Sequence, residues 1–221
     1  MIDNERALIE LLPALRKAEW VAVDTEADSL HSYPEKLCLI QISIPALDVL
    51  VDPLAGLSLT ELFDVLGNRE LLLHGADYDL RLMFRTYGFR PQSVFDTMLA
   101  AKLLGYSQLG LEGLADRLLN VKLEKGPQKA NWARRPLTDR MSHYARNDTR
   151  HLQPIANLLR QELEAKDRLS WHRESCERLL HDCSQLRAAD REQVWRIKGA
   201  AELDRAALAV LRELWQWREQ E

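Results

Sequence analysis

Cysteine is scarce in this chain. Cys38, Cys176 and Cys183 form no CxxC pair, and any disulfide scheme would leave one thiol over. That argues against a disulfide-framed secreted scaffold and fits a reducing compartment. No apolar run is long enough for a signal peptide or a membrane span, and the opening residues, MIDNERALIELLPALRKAEW, carry acids early. A soluble, cytoplasmic protein with no membrane partner is the expectation. Surplus basic charge is missing too. The net charge is −4 with a pI near 5.9, so no global positive field announces nucleic acid, and none excludes it. Internal repeats and low-complexity tracts are absent.

What is present is a core. At 221 residues and 46% hydrophobic content, the chain can bury one domain or one and a fraction. Apolar periodicity predicts a helix over Asn4–Lys17, with Leu8, Leu11, Leu12 and Leu15 on one face. Strand-like runs follow at Trp20–Thr25, Leu37–Ser43 and Asp48–Val51, close enough in sequence to form an antiparallel meander. Then come a helix at Leu59–Leu66, a short strand at Leu71–His74, and a helix at Tyr78–Tyr87 that Gly88 would close. A strand at Ser93–Phe95 precedes a helix at Thr97–Leu104, and everything beyond Leu111 reads as helix or loop. Strands with interleaved and then trailing helices predict an α/β domain on a mixed sheet. One segment departs from the acidic average: residues 122–150 hold eight Lys or Arg against three acids, a net +5.

The stretch WVAVDTEADSL poses the functional question. It opens as a buried strand and ends in Asp24 and Glu26, alternate residues that share a face about 7 Å apart or less. Asp79 opens the helix after the fourth strand, in HGADYDL. Tyr144 and Asp148, in HYARNDTRHL, stand at i and i+4 and share a helix face. Each has an ordinary reading when taken alone: a solvated strand end, an acid favoured in a first helical turn, two residues of a surface helix. Together, strand end, helix start and late helix can converge on one pocket. Two carboxylates 4 Å apart repel by about 4 kcal/mol at an effective dielectric near 20, so four in one pocket call for cations. Oxygen ligands with little His or Cys suit Mg²⁺ or Mn²⁺ over zinc. Two such ions form the clamp used for in-line attack on phosphodiesters.

DTEADSLHSYPEKLCLIQIS, HGADYDLRLMF with VFDTMLAAKLLG, and WARRPLTDRMSHYARNDTRHLQPIANLL resemble the three motifs of the DEDD 3′→5′ exonucleases. The Tyr-x-x-x-Asp form of the third motif places the resemblance in the tyrosine branch, in the ribonuclease D group, over about residues 18–185. It implies an RNase H-like mixed sheet, an antiparallel meander plus parallel strands flanked by helices. It implies hydrolysis of nucleic acid from a free 3′-OH to nucleoside 5′-monophosphates with two divalent cations. Carried over by motif, Asp24, Glu26 and Asp148 would ligate one ion, Asp24 would bridge to the second, and Asp79 would act through water. Tyr144 would orient the attacking water; a phenol with an ordinary pKa near 10 is a poor base at neutral pH. Glu26 and the backbone N–H of Ala27 would hold the terminal 3′-OH.

Further substrate contacts are expected in KGPQKANWARRPL, from Lys125, Gln128, Trp132 and Arg135, whose basic character suits a phosphate backbone. Trp132 is either a base-stacking platform or a core residue pinning the loop. His74 is either a hydrogen-bonded structural residue or a substrate contact, and His31 and Tyr33 are further positions along a strand path. Cys176 and Cys183, one heptad apart, are expected to pack. The domain plan is a catalytic domain over 1–184, a linker over 185–194, and a helical C-terminal extension over 195–221. That last stretch, WRIKGAAELDRAALAVLRELWQWREQE, resembles the opening of the nucleic-acid-binding HRDC domain that follows the nuclease in ribonuclease D proteins. Its Leu203, Leu208, Leu211, Leu214 and Trp215 need a covering surface. The leading expectation is an exoribonuclease acting on tRNA precursors or other structured-RNA tails. A DNA exonuclease of the same branch and a catalytically silent RNA-binding module are the alternatives.

Overall fold

Residues 37–44, LCLIQISI, are buried without exception, the mark of a strand covered on both faces. This strand lies inside a five-stranded sheet in a computed structural model that describes residues 1–185 and 195–220. In chain order the strands are β1 (Val21–Ala27), β2 (Leu37–Ile44), β3 (Leu47–Val51), β4 (Glu70–Leu73) and β5 (Ser93–Asp96). Their spatial order is β3-β2-β1-β4-β5. β1, β2 and β3 pair antiparallel, whereas β4 runs parallel to β1 and β5 parallel to β4. The mixed sheet therefore has the meander and the parallel strands expected from the sequence, flanked by helices.

Nine α-helices are found among the described residues: α1 (Glu5–Lys17), α2 (Thr60–Gly67), α3 (Asp77–Tyr87), α4 (Thr97–Leu104), α5 (Leu111–Leu119), α6 (Asp139–Arg150), α7 (Leu152–Ala165), α8 (Leu169–Cys183) and α9 (Arg205–Arg218). Local chemistry sets several ends. Asn4 caps α1 by accepting from the Ala7 N–H at 3.0 Å, and Asp96 caps α4 through the N–H groups of Met98 and Leu99. Gly88 closes α3 at φ 66°, a left-handed conformation that glycine adopts without strain.

The two sheet faces carry different cores. Val21, Val23, Ile40 and Ile42 pack with leucines of α1, α2 and α3 in the largest apolar cluster. On the opposite face, Ala22, Leu72 and Phe95 pack against α4, α5 and α7. A third cluster gathers Leu39 and Leu50 with Trp132, Met141 and Ala145. Side chains alternate along a strand, so Ala22, Asp24 and Glu26 share this second face, and the acids stand where it passes between those two clusters. Cys176 and Cys183 are buried in the first cluster, and all three cysteines are free thiols.

The chain divides into two compact units, Met1–Ser184 and Gln185–Glu221. In the second, a short 3₁₀ turn (Ala200–Glu202) precedes α9, which Asp204 caps by accepting from the Ala207 N–H at 2.8 Å. No residue of α9 is buried. Apart from Gln185, the expected linker lies outside the described residues.

Candidate active site

β1 supplies the first two acids. Its pairing with β2 slips between Glu26 and Ala27, a bulge that re-aims side chains at a strand end. Asp24 is opposite Gln41 in the register, and the fully buried Gln41 amide donates to Asp24 Oδ2 at 3.3 Å. α6 supplies Tyr144 and Asp148. It is tied to the sheet one residue further on, where the Thr149 and Ser43 hydroxyls meet at 2.7 Å. Ser43 donates in turn to Asp48 at 2.6 Å, and Asp48 pairs with Arg150 at 2.6 Å. Carboxylate oxygens of Asp24, Glu26 and Asp148 all come within 4.8 Å of one another.

Asp79, on the first turn of α3, stands outside that trio. Its Oδ1 accepts from the Thr25 backbone N–H at 3.1 Å and from the Thr25 hydroxyl. The turn that launches α3 is fixed by Asp96, which accepts from the N–H groups of Gly75 and Ala76 as well as those of α4.

These acids are costly to ionise. Among the described residues no ion pair reaches Asp24, Glu26, Asp79 or Asp148. Burial, and then the charges of Asp79, Asp148 and Glu26, hold Asp24 well above the usual carboxylate range. Burial and then the charges of Asp148 and Asp79 push Glu26 up to about 9. Asp148 rises to about 7, mostly by burial, against the opposing effect of a hydrogen bond from Tyr144. Asp79 rises to about 6 by burial, which its bonds to Thr25 partly offset. Burial and the nearby Asp148 charge raise the Tyr144 phenol. Three converging carboxylates with no cationic partner, held apart from their charged forms only by desolvation and mutual repulsion, are an all-oxygen donor set that a hard divalent ion satisfies.

The acids open onto a cleft of about 1090 Å³. Asp24, Glu26, Tyr144 and Asp148 line it, with His74 and Gln128. His74 Nδ1 meets the Thr97 hydroxyl at 2.9 Å, and Nε2 has no partner among the described residues; burial lowers the pKa of the ring. Lys122 and Lys125 also line the cleft, and no ion pair engages either among the described residues.

Two expected substrate contacts are corrected. Trp132 is fully buried, 6.3 Å from the Tyr144 ring, with no face open to a base; its large apolar area belongs to the core. The Arg135 guanidinium is committed to Asp52 at 2.6 Å and to the carbonyls of Trp132, Arg134 and Cys38, so it staples the loop instead of reading a phosphate. His31 lies against the Lys129 carbonyl at 3.3 Å, and Tyr33 is exposed. Sequence reasoning passed over Gln41 and Asp96. The first had a visible signal, a lone amide inside a strand apolar but for Ser43.

The family described as 3′-5′ exonuclease matches residues 1–164. The chain belongs to that family. Within it the domain is ribonuclease D-like. Ribonuclease D of Zymomonas mobilis subsp. mobilis is 35% identical over 224 residues, covering 99% of this chain and 57% of that protein. The Escherichia coli RNase D structure, described as an exoribonuclease involved in structured RNA processing, superposes with a TM-score of 0.82 at 30% identity, covering 100% of this chain and 59% of the other. NrnC of Brucella melitensis, solved with bound Mg²⁺, matches with a TM-score of 0.65 at 26% identity over 86% of this chain and 90% of that one. The 3′-5′ exonuclease domain thus has a relative that carries a divalent cation, and the chain spans less than two thirds of the length of the ribonuclease D proteins it matches. No helix among the described residues is long and apolar enough to cross a membrane.

Proposed function

We propose that this chain carries the catalytic part of a metal-dependent exoribonuclease. It shortens RNA from a free 3′-OH, releases nucleoside 5′-monophosphates, and acts on the 3′ tails of tRNA precursors or other structured RNA in the cytoplasm. The observation that carries this reading is the convergence of Asp24, Glu26 and Asp148 oxygens within 4.8 Å, with no ion pair to a basic side chain among the described residues. These three residues would hold one Mg²⁺ or Mn²⁺, with Asp24 shared with a second and Asp79 reaching it through water. Bound there, divalent cations neutralise the charge that develops on the scissile phosphate and favour deprotonation of water.

The chain's own groups do the rest. Glu26 and the Ala27 N–H hold the terminal 3′-OH, which makes cleavage depend on an end. The Tyr144 phenol keeps its proton, because burial and Asp148 raise its pKa, and its hydroxyl therefore orients the attacking water without serving as the base. Gln128, Lys122 and Lys125 face the strand from the cleft wall, the two amines meeting phosphates, and His74 Nε2 offers a neutral ring nitrogen to the terminal nucleotide. Residues 195–221, which resemble the opening of a nucleic-acid-binding domain, would add to the grip on RNA.

The test is digestion of a 5′-labelled single-stranded RNA and its DNA counterpart with Mg²⁺, with Mn²⁺ and with chelator. A metal-dependent ladder shortening from the 3′ end, faster on RNA, is expected. Faster DNA shortening would assign the chain to DNA, and a folded protein that cleaves neither with either metal would leave a binding module.

A further inference from the structure

Gly126 sits in the 120–138 connection between α5 and α6, and its lack of a side chain has a specific use. A Cβ built on Gly126 would fall 1.6 Å from Cδ2 of Tyr144 and 2.1 Å from its Cγ. Heavy atoms never approach so closely, so the glycine backbone must lie directly against the phenol ring. Gly126 has no positive φ to explain its presence; close approach is the reason. The same connection supplies Tyr144 with two more neighbours. Trp132 packs 6.3 Å away, centroid to centroid, and the Gln128 side chain acts on the phenol, opposing the rise in its pKa. Trp132 is immobilised in the core and Arg135 is stapled to Asp52, which anchors the far end of the connection. The near part, from Lys122 to Gln128, lines the cleft.

We infer that Gly126 is a positioning residue: its bare backbone forms one wall of a sleeve that sets the Tyr144 ring, and it links that ring to the cleft-lining lysines on either side of Glu124. The inference rests on the exonuclease reading for its catalytic consequence but not for the contact itself. Because Lys125 is adjacent to Gly126 in the chain, a phosphate captured by that amine acts on the same short backbone segment that touches the phenol. Strand occupancy and the placement of the water-orienting group are thereby joined.

The test is a double-mutant cycle of Gly126→Ala and Tyr144→Ala in the full chain, read by kcat, KM and fluorine NMR after 3-fluorotyrosine labelling. The chain has five tyrosines, and loss of one resonance in Tyr144→Ala assigns the fifth. Gly126→Ala is expected to shift that resonance, leave the other four in place, and lower kcat on the order of 10²-fold with KM little changed, the scale of a misplacement of about 1 Å. In the Tyr144→Ala background the same substitution is expected to cost nothing further. An equal loss in both backgrounds, or an unmoved resonance, overturns the inference. If Gly126→Ala alone fails to fold, the double variant decides: recovery of the fold on removing the ring supports the contact, and continued failure overturns it. A wild-type chain without 3′-end shortening would defeat the exonuclease reading, while the resonance would still test the contact.

Discussion

Asp28, Asp52 and Asp96 are buried at least as fully as the acids of the cleft, of which Asp24, Glu26 and Asp148 are half-buried, yet they lead a different life. Asp96 accepts four backbone N–H groups. Asp52 holds Arg135 through two bonds of 2.6 Å and accepts the Leu54 N–H. Asp28 accepts the Lys36 N–H at 2.7 Å and lies 3.6 Å from its ammonium. Asp24 accepts a long bond from Gln41, and Asp79 accepts from Thr25, with no ion pair to either among the described residues. Both groups are carboxylates withdrawn from water; the supply of partners differs. A buried carboxylate with a full set of donors holds a fold together, whereas one without them works against it until a cation arrives.

Substitutions can break this contrast. The largest effect is expected from Asp148→Asn, which removes a ligand and should lower 3′-end shortening on the order of 10³-fold or more, several kcal/mol of transition-state stabilisation. Its metal-free melting temperature at pH 8 should equal or exceed wild type, because a repelling charge is gone; a clear loss in chelator would show that Asp148 belongs with the satisfied acids. Next is Arg135→Ala, which leaves Asp52 buried and unpaired and should cost about 3–5 kcal/mol in denaturant unfolding. A change below about 1 kcal/mol would mean that water reaches Asp52 as readily as the cleft.

The smallest expected effect is on pH dependence. Asp79, Asp148 and Glu26 have raised pKa values of about 6, 7 and 9, so the metal-free folded state keeps protons that the unfolded chain has released by about pH 5. Stability is then present in full below the unfolded carboxylate range near 4 and is lost as pH rises towards 9. In chelator the melting temperature should fall by several degrees between pH 5.5 and 8.5. Saturating Mg²⁺ should remove or reverse that fall, since an ion replaces the protons and binds better as they leave. A flat profile in chelator would mean that folding does not raise the pKa values of these acids.

The sheet was legible where patterns are local. The helix at Thr97–Leu104 has the bounds read from sequence, and the meander follows from short connections. Period-two alternation put Asp24 and Glu26 on one face, and helical spacing put Tyr144 with Asp148. What escaped depended on distant partners. Nothing near Arg135 announces Asp52, 83 residues away, and a basic residue in a basic loop reads as a phosphate contact until its donors are traced. Trp132 had two readings, and only burial separates them. Gly126 left no trace, because a glycine in a loop is ordinarily taken for a turn.

β1 and β4 stay in register only at Val21–Leu71 and Ala22–Leu72; beyond that point β1 continues without β4 and Thr25 turns to Asp79 instead. The parting works as a socket, its width set by main chain and its floor by the acids. Of the cleft walls, Lys122–Gln128 also carries the contact with Tyr144, whereas Gly110–Gly113 is an interchangeable fitting. Changes there can alter what is accepted without disturbing where it is cut, which gives a designer two independent dials on a single domain.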